Sequence, residues 1–400
     1  MRHIFIVLLI GNITITDLWG EPDRWHGKDR ATLAVFKDPV TDLFVDRTVA
    51  KNIPTSPPGV TRAGLCPRAH QALYNEVVTC VEWHHVHDEH VKVSFDNVVY
   101  GHDPVTGEPR SSFWTTTDRL IFLKDMTDEC IDALPGPRFE RNEPMGSEHT
   151  ESETVVLTLP WKRYSVATRF VRVPEHDTSD GYGVKLLDMG KKKITHMVVP
   201  HAVARLEEAV SLQEARKLFV ENVNQLVDHF ARKPSQKVVP YIWGGSSCVD
   251  GYEDCFTANA QGAWVRKGRN QPYMGYDCSE LVLRLAQVSG LPYVYKTTLT
   301  LAERGRALTK DDTIEAGDLL WIPGHVLIVG DVASNNLIES RSYSSGYGKL
   351  QRLALRDCFA GIKTFGQLRD AFFAKKRLTR LKKGGLIESV LPEFKIIKIC

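Results

Sequence analysis

Long apolar runs are missing from this chain of 400 residues. No stretch approaches the ~18 consecutive apolar residues of a membrane-spanning helix. Net charge is also scarce. Lysine and arginine number 51 against 49 aspartates and glutamates, a formal charge of +2, which gives no whole-chain electrostatic case for nucleic acid as a partner. Repeats of fixed period are absent, which excludes solenoids and propellers. Cysteine is thin: eight in 400 residues is not a disulfide scaffold, and it leaves the redox compartment open. What remains is globular in character, with 42% apolar and 25% charged residues and a length that suits about two to four domains.

The chain opens on Met1-Arg2-His3 and an apolar run over 4–10. A basic start before a short apolar core has the form of a secretory signal at its short limit, without a clean small-x-small cleavage site. Residues 1–20 are therefore a candidate signal segment, and a buried first strand is the alternative. Residues 21–60 read as an irregular arm closed by Pro54, Pro57, Pro58 and Gly59. Within 61–130 the pattern becomes β-like at 77–78, 91–95, 98–100 and 120–123, which predicts a small barrel. Residues 130–153, rich in Pro, Gly and Glu, read as a linker, and a second β region follows over 150–200.

The period then changes. Val203, Leu206, Val210, Phe219, Val223, Leu226 and Phe230 share one helical face over 201–232, and Ser211 with Glu214 has the form of a capping box. Residues 233–371 form a further domain. It begins with an apparent strand start at 238–243 and a long polar loop over 246–272. Strands are expected at 318–322, 325–329 and 336–339. Residues 372–400 form a basic tail, helix-compatible to 385, whose cations Lys375, Lys376, Arg377, Arg380, Lys382 and Lys383 read as a solvated face.

The chemistry centres on Asp277-Cys278-Ser279. Leu281, Val282, Leu285 and Val288 recur at helical spacing behind the cysteine, and Gly290 and Pro292 stop the helix. Cys278 then lies in the first turn, where free N–H groups and the positive dipole end favour a thiolate. A nucleophilic cysteine needs a base and a group that orients the base. His325 opens a half-buried strand, and Glu339 lies on the next strand, so a hairpin would bring the two together. The plainer alternatives are a packed cysteine at a helix start and a structural histidine. Cys248 and Cys255 flank a polar loop and could bridge; their spacing is not that of a metal knuckle.

Four motifs in order carry a resemblance: Tyr241-Ile242-Trp243-Gly244-Gly245, Asp277-Cys278-Ser279, Ser289-Gly290-Leu291-Pro292, and Ala316-Gly317-Asp318-Leu319 followed by Gly324-His325-Val326. Over about 211–370 the chain resembles the NlpC/P60 family of papain-like cysteine peptidases. The resemblance implies Cys278 as nucleophile, His325 as base, Glu339 in the orienting position and Tyr241 beside the oxyanion. Two features depart from the family. Its third position is usually His, Asn or Gln, so Glu339 is unusual and would raise the pKa of His325. The 246–272 loop is longer than usual and is either a cleft cover or a plain insertion.

Upstream, Gln71-Ala72-Leu73-Tyr74-Asn75-Glu76, Trp83 and His90-Val91-Lys92-Val93 resemble a bacterial SH3-like module, and the second β region resembles a weaker copy. The implied fold class is α+β: a papain-like catalytic domain preceded by two small SH3-like barrels. In family members of that organisation, which cut γ-D-glutamyl–diamino acid bonds, the acid before the cysteine and the serine after it hold a free N-terminal amine. Asp277 and Ser279 match those positions, and Phe113 or Trp114 could line the cleft wall. The implied partners are peptidoglycan stem peptides or murein fragments, handled by an exported or envelope protein, with cytoplasmic recycling as the alternative. No cofactor or metal is called for. His84, His85, His87 and His90 with Asp88 and Glu89 approach a metal-hydrolase pattern but read as turn histidines. A catalytically degenerate wall-binding protein and an acyltransferase of the same fold are the other two functions the residues allow.

Overall fold

The computed structural model describes residues 29–45, 47, 68–83, 89–102, 106–136, 153–188, 190–191, 193–208, 210–231, 238–249, 256–258, 264–266 and 274–399. The candidate signal segment, the 54–59 turn, most of the 130–153 linker, most of the 246–272 loop, the histidines at 84, 85 and 87, and Cys255 lie outside the described residues.

The first β unit holds β1 (Leu33–Phe36), β2 (Val40–Phe44), β3 (Arg68–Leu73), β4 (Val77–Trp83), β5 (His90–Ser94), the side hairpin β6 (Gly101–His102) and β7 (Pro109–Arg110), β8 (Ser112–Thr116) and β9 (Leu120–Phe122). Seven of these form one antiparallel sheet in the order β3-β2-β8-β5-β4-β1-β9. β1 and β2 thus occupy part of the stretch expected to be irregular. The reason is burial on both faces: Ala34 and Phe36 enter one core while Leu33 and Val35 enter another, so β1 lacks the apolar–polar alternation of a half-exposed strand. Residues 98–100 form no strand. Val99 instead bridges in parallel to Tyr295, tying this unit to the segment after the cysteine helix. A helical turn, α1 (Asp128–Ile131), capped by Thr127, closes the unit.

The second β unit contains β10 (Thr154–Leu157), β11 (Arg169–Val171), the hairpin β12 (Gly181–Asp188) and β13 (Lys193–Pro200), and β14 (Ala204–Leu206). β14 pairs with β10, so Leu206 belongs to a strand and not to the helical face proposed for it. The helix α2 (Leu212–Ala231) starts where Ser211 Oγ accepts the Glu214 N–H at 3.2 Å. Its buried face is Ala215, Phe219, Val223, Leu226 and Phe230.

The last unit begins with β15 (Ser246–Ser247), the hairpin β16 (Phe256–Ala258) and β17 (Trp264–Arg266), and β18 (Gly275–Tyr276). It continues through α3 (Cys278–Ser289), α4 (Thr298–Arg304), β19 (Arg306–Ala307), β20 (Leu319–Ile322), β21 (His325–Asp331), β22 (Asn336–Arg341), β23 (Lys349–Ala354), α5 (Leu355–Cys358), α6 (Phe365–Phe373), β24 (Leu378–Leu381), β25 (Ile387–Leu391) and β26 (Lys395–Lys398). The central sheet runs β19-β26-β20-β21-β22-β23. Its two faces follow the strand period of two. Leu319 and Trp321 pack with the α2–α3 side, whereas Leu320 and Ile322 pack with α5 and α6. Each leucine or phenylalanine fully buried this way contributes about 1.5–3 kcal/mol.

The expected basic tail is part of this domain. β26 lies between β19 and β20, and Lys398 Nζ pairs with Asp318 at 2.9 Å and Glu315 at 2.5 Å. From α2, Arg216 reaches the same Asp318 at 2.7 Å. The 378–381 segment is a strand and not helix, because Leu378, Arg380 and Leu381 are all buried against the domain.

Candidate active site

Two tight backbone approaches shape the Cys278 turn. The Asp277 N–H donates to Gly245 O at 2.9 Å, and the Gly244 N–H donates to Asp277 Oδ2 at 3.0 Å. Gly244 has φ +65°, and a Cβ there would meet Arg68 O at 2.5 Å, so only glycine lets the entry motif lie this close. Asp277 is the N-cap of α3: Oδ1 accepts the Glu280 N–H at 2.7 Å and the Ser279 hydroxyl at 3.1 Å. At the far end Gly290, at φ 80°, caps α3 in the left-handed conformation.

Cys278 is 6% exposed. Its sulfur accepts the Val326 N–H, so the thiol meets the backbone of the residue next to His325. On β21, His325 Nε2 pairs with Glu339 Oε2 of β22 at 2.8 Å. The hairpin expected from the sequence is present, with Ile328 opposite Ile338. That geometry leaves Nδ1 as the ring nitrogen not used by Glu339. Ser340 Oγ donates to Tyr276 O at 2.6 Å, fastening β22 to the strand that delivers the cysteine.

The electrostatics favour a neutral thiol and a neutral imidazole in the free protein. Burial, helped by Asp277, pushes the Cys278 thiol up to about 12. Burial also lowers His325 below its ordinary 6.5, with Arg380 and Arg341 acting in the same direction and Glu339 against it. Glu339 is wholly buried, which by itself would raise it. Arg380 above all, then His325 and Arg341, hold it down to about 2. The Arg380 guanidinium ion-pairs with Glu339 Oε2, and Arg341 Nη1 stands 3.6 Å from Oε1.

A second buried network surrounds the first turns of α3. Lys296 Nζ lies 3.1 Å from Glu280 Oε1 and 3.5 Å from Asp277 Oδ2. Although burial disfavours its charge, these two acids keep the Lys296 ammonium above its ordinary value. Glu280 also meets His70 Nδ1 of β3 at 2.5 Å. One turn along, Arg284 ion-pairs with Glu76 and donates to Gln71 O at 2.5 Å. Arg205 of β14 donates to Val288 O at 2.7 Å, a cation at the negative end of the helix. Both β units are therefore bonded to the helix that carries Cys278.

The sequence-derived site residues fall as follows. Tyr241 is buried and bridges to Tyr276, two residues before Cys278. Asp277 and Ser279 flank Cys278 but hydrogen-bond to each other. Phe113 is fully buried among Phe95, Tyr100 and His70, inside the first unit. The Trp114 ring lies under Lys92 at 5.8 Å. Glu89 and His90 are the described members of the histidine cluster, and among the described residues no group of His, Cys, Asp or Glu could hold a metal ion. Sequence reasoning missed Lys296, Glu280, His70, Arg284, Arg341 and Arg380. Only Glu280 and Arg284 carried a signal: both are charged residues on a helix whose other positions read as buried.

No protein-family profile matches the chain, and no curated protein matches it. Among solved structures it is similar to an NlpC/P60 family protein from Bacillus cereus, at 16% identity and a TM-score of 0.49, over 81% of this chain and 94% of the other. Its structural neighbours are NlpC/P60 family proteins. One is NlpC1 from Trichomonas vaginalis, at 9% identity and a TM-score of 0.30, over 91% of this chain and 93% of that one. The chain is also similar to RipB, a peptidoglycan hydrolase from Mycobacterium tuberculosis, at 19% identity and a TM-score of 0.21, over 48% of this chain and 74% of that one.

Proposed function

We propose that the protein is a cysteine endopeptidase of the NlpC/P60 type acting on peptidoglycan stem peptides, with two SH3-like modules ahead of its catalytic domain. The observation that carries the proposal is the junction of three elements: the Cys278 thiol against the Val326 backbone, with the His325–Glu339 pair one residue away. The bond cut is the γ-D-glutamyl–diamino acid bond, and the place of work is the cell wall or its fragments.

In this mechanism the thiol proton moves to His325 Nδ1 only as sulfur attacks the carbonyl, because neither group is ionised beforehand. Glu339 holds Nε2 and stabilises the imidazolium that forms. The oxyanion lies near the Cys278 N–H and Tyr241. His325 then gives its proton to the leaving amine, and water hydrolyses the thioester. Asp277 and Ser279 read the free amino end of the peptide. Asp277 Oδ2 is the oxygen for that ammonium, and it is one that Lys296 already approaches at 3.5 Å.

The test is mass spectrometry of L-Ala-γ-D-Glu-diaminopimelate digests. Cys278→Ala should lose cleavage by roughly 10^4-fold or more. A variant that cuts at the wild-type rate would refute the assignment. The same digest on an amine-blocked peptide should run more slowly; equal rates would remove Asp277 and Ser279 from recognition. The buried, raised thiol also suits a catalytically degenerate wall-binding protein, for which the wild type would cut neither peptide.

A further inference from the structure

We infer that Arg380 is a positioning residue of the active site: from β24, near the C-terminus, it fastens Glu339 beside His325 and offsets the carboxylate's charge. The inference deepens the peptidase assignment and rests on it for the role of His325.

Geometry carries the inference. The Glu339 side chain is 0% exposed and that of Arg380 2%. One oxygen, Oε2, receives both His325 Nε2 and the Arg380 guanidinium. Arg380 is itself held firmly. Its guanidinium lies over the Phe359 ring at 4.9 Å, its backbone bridges to Phe359, and its side chain also bonds Cys358 of α5. Arg341, the second cation beside Glu339, donates to Leu381 O at 2.6 Å and ion-pairs with Glu388 of β25. The 378–391 hairpin therefore reaches the third catalytic position from two directions.

The charge count explains why a carboxylate is tolerated there. Glu339 and Glu388 stand against Arg341 and Arg380, so the set is neutral before His325 is counted. A lone buried carboxylate against an imidazole would keep the ring protonated and useless as a base. Compensated by Arg380, it still accepts the Nε2–H hydrogen bond but does not trap the imidazolium. The other titratable groups around the pair are Cys278 on α3, Cys358 on α5 and Tyr347 before β23. All three ordinarily ionise well above neutrality and are raised further, so they stay uncharged while His325 titrates. Arg380, which shares Oε2 with His325, is thus the cation whose loss changes the field more than that of Arg341.

The experiment is histidine-detected NMR titration of His325 in the full chain, assigned with His325→Gln, alongside the pH profile of kcat/KM. Wild-type His325 should titrate below 6.5. In Arg380→Gln the midpoint and the acid limb should both rise by at least about one pH unit, and Arg380→Lys should restore most of the shift. In a Glu339→Gln background, Arg380→Gln should move the midpoint by less, because only the direct repulsion between Arg380 and the imidazolium is then lost. An unmoved midpoint in folded Arg380→Gln, or the same shift without Glu339, overturns the inference. Should Arg380→Gln fail to fold, the decision passes to the other two variants. Arg380→Lys must keep a near wild-type midpoint, and a folded Glu339→Gln/Arg380→Gln pair must lie less than about one pH unit above Glu339→Gln; failure of either overturns it. The midpoint is read without substrate, so it fails separately from the peptidase assignment, which the Cys278→Ala digest tests.

Discussion

At the scale of the residue, Cys278 sits in a helix first turn, which by itself favours a thiolate. The tertiary environment reverses that preference: the sulfur is buried and Asp277 stands beside it, so the thiol is raised to about 12. On the proposed assignment, catalysis then runs through the neutral pair. Two outcomes follow. Below neutrality the rate follows deprotonation of His325, whose pKa lies under 6.5, so the acid limb of kcat/KM should fall below that value. Alkylation of Cys278 by iodoacetamide at pH 7 should be roughly 100-fold or more slower than that of an exposed thiol. A Cys278 alkylated rapidly at pH 6, as a thiolate–imidazolium pair would be, contradicts both. The cysteine and the histidine were legible in sequence because each opens a periodic element, and the glutamate because it lies on the next strand of the hairpin. The raised thiol was not, because it depends on what packs over it.

At the scale of the element, α3 does more than present Cys278. It was readable from Leu281, Leu285 and Val288 and from Gly290, but the partners of its polar positions were not. Glu280, Arg284 and Gln287 are instead fully buried, paired with His70, Glu76 and the backbone of the first β unit. Removing one member leaves uncompensated charge in the interior. Arg284→Met should therefore destabilise the protein by about 3 kcal/mol, the scale of a broken buried ion pair. Urea unfolding would measure it, and a loss below about 1 kcal/mol would show that the network is dispensable. The element the sequence concealed was β1, whose two buried faces erase the alternation by which strands are recognised.

At the scale of the whole molecule, the C-terminal segment and the central sheet are one structure. β26 lies between β19 and β20, and β24 brings Arg380 to Glu339. A chain ending at 377 should lose both the sheet pairing and the counter-charge. The expected result is an insoluble or unfolded product by circular dichroism, with no cleavage. A soluble, active truncation would show that β24–β26 are an accessory. The α+β class is what the family resemblance implies, and the observed units agree with it. Among the described residues no helix is long and apolar enough to cross a membrane.

The sequence by itself determined the Cys278 turn, the helix behind it and the His325–Glu339 hairpin. Each is set by local rules: helical or strand period, an N-cap, a glycine stop. Only the tertiary structure decided that Lys296 stands beside Asp277, that His70 meets Glu280 across 210 positions of chain, and that Arg380 reaches Glu339 across 41. Charges buried together leave no periodic trace along the chain, because their pairing is fixed by the loss of solvent when distant elements close on one another.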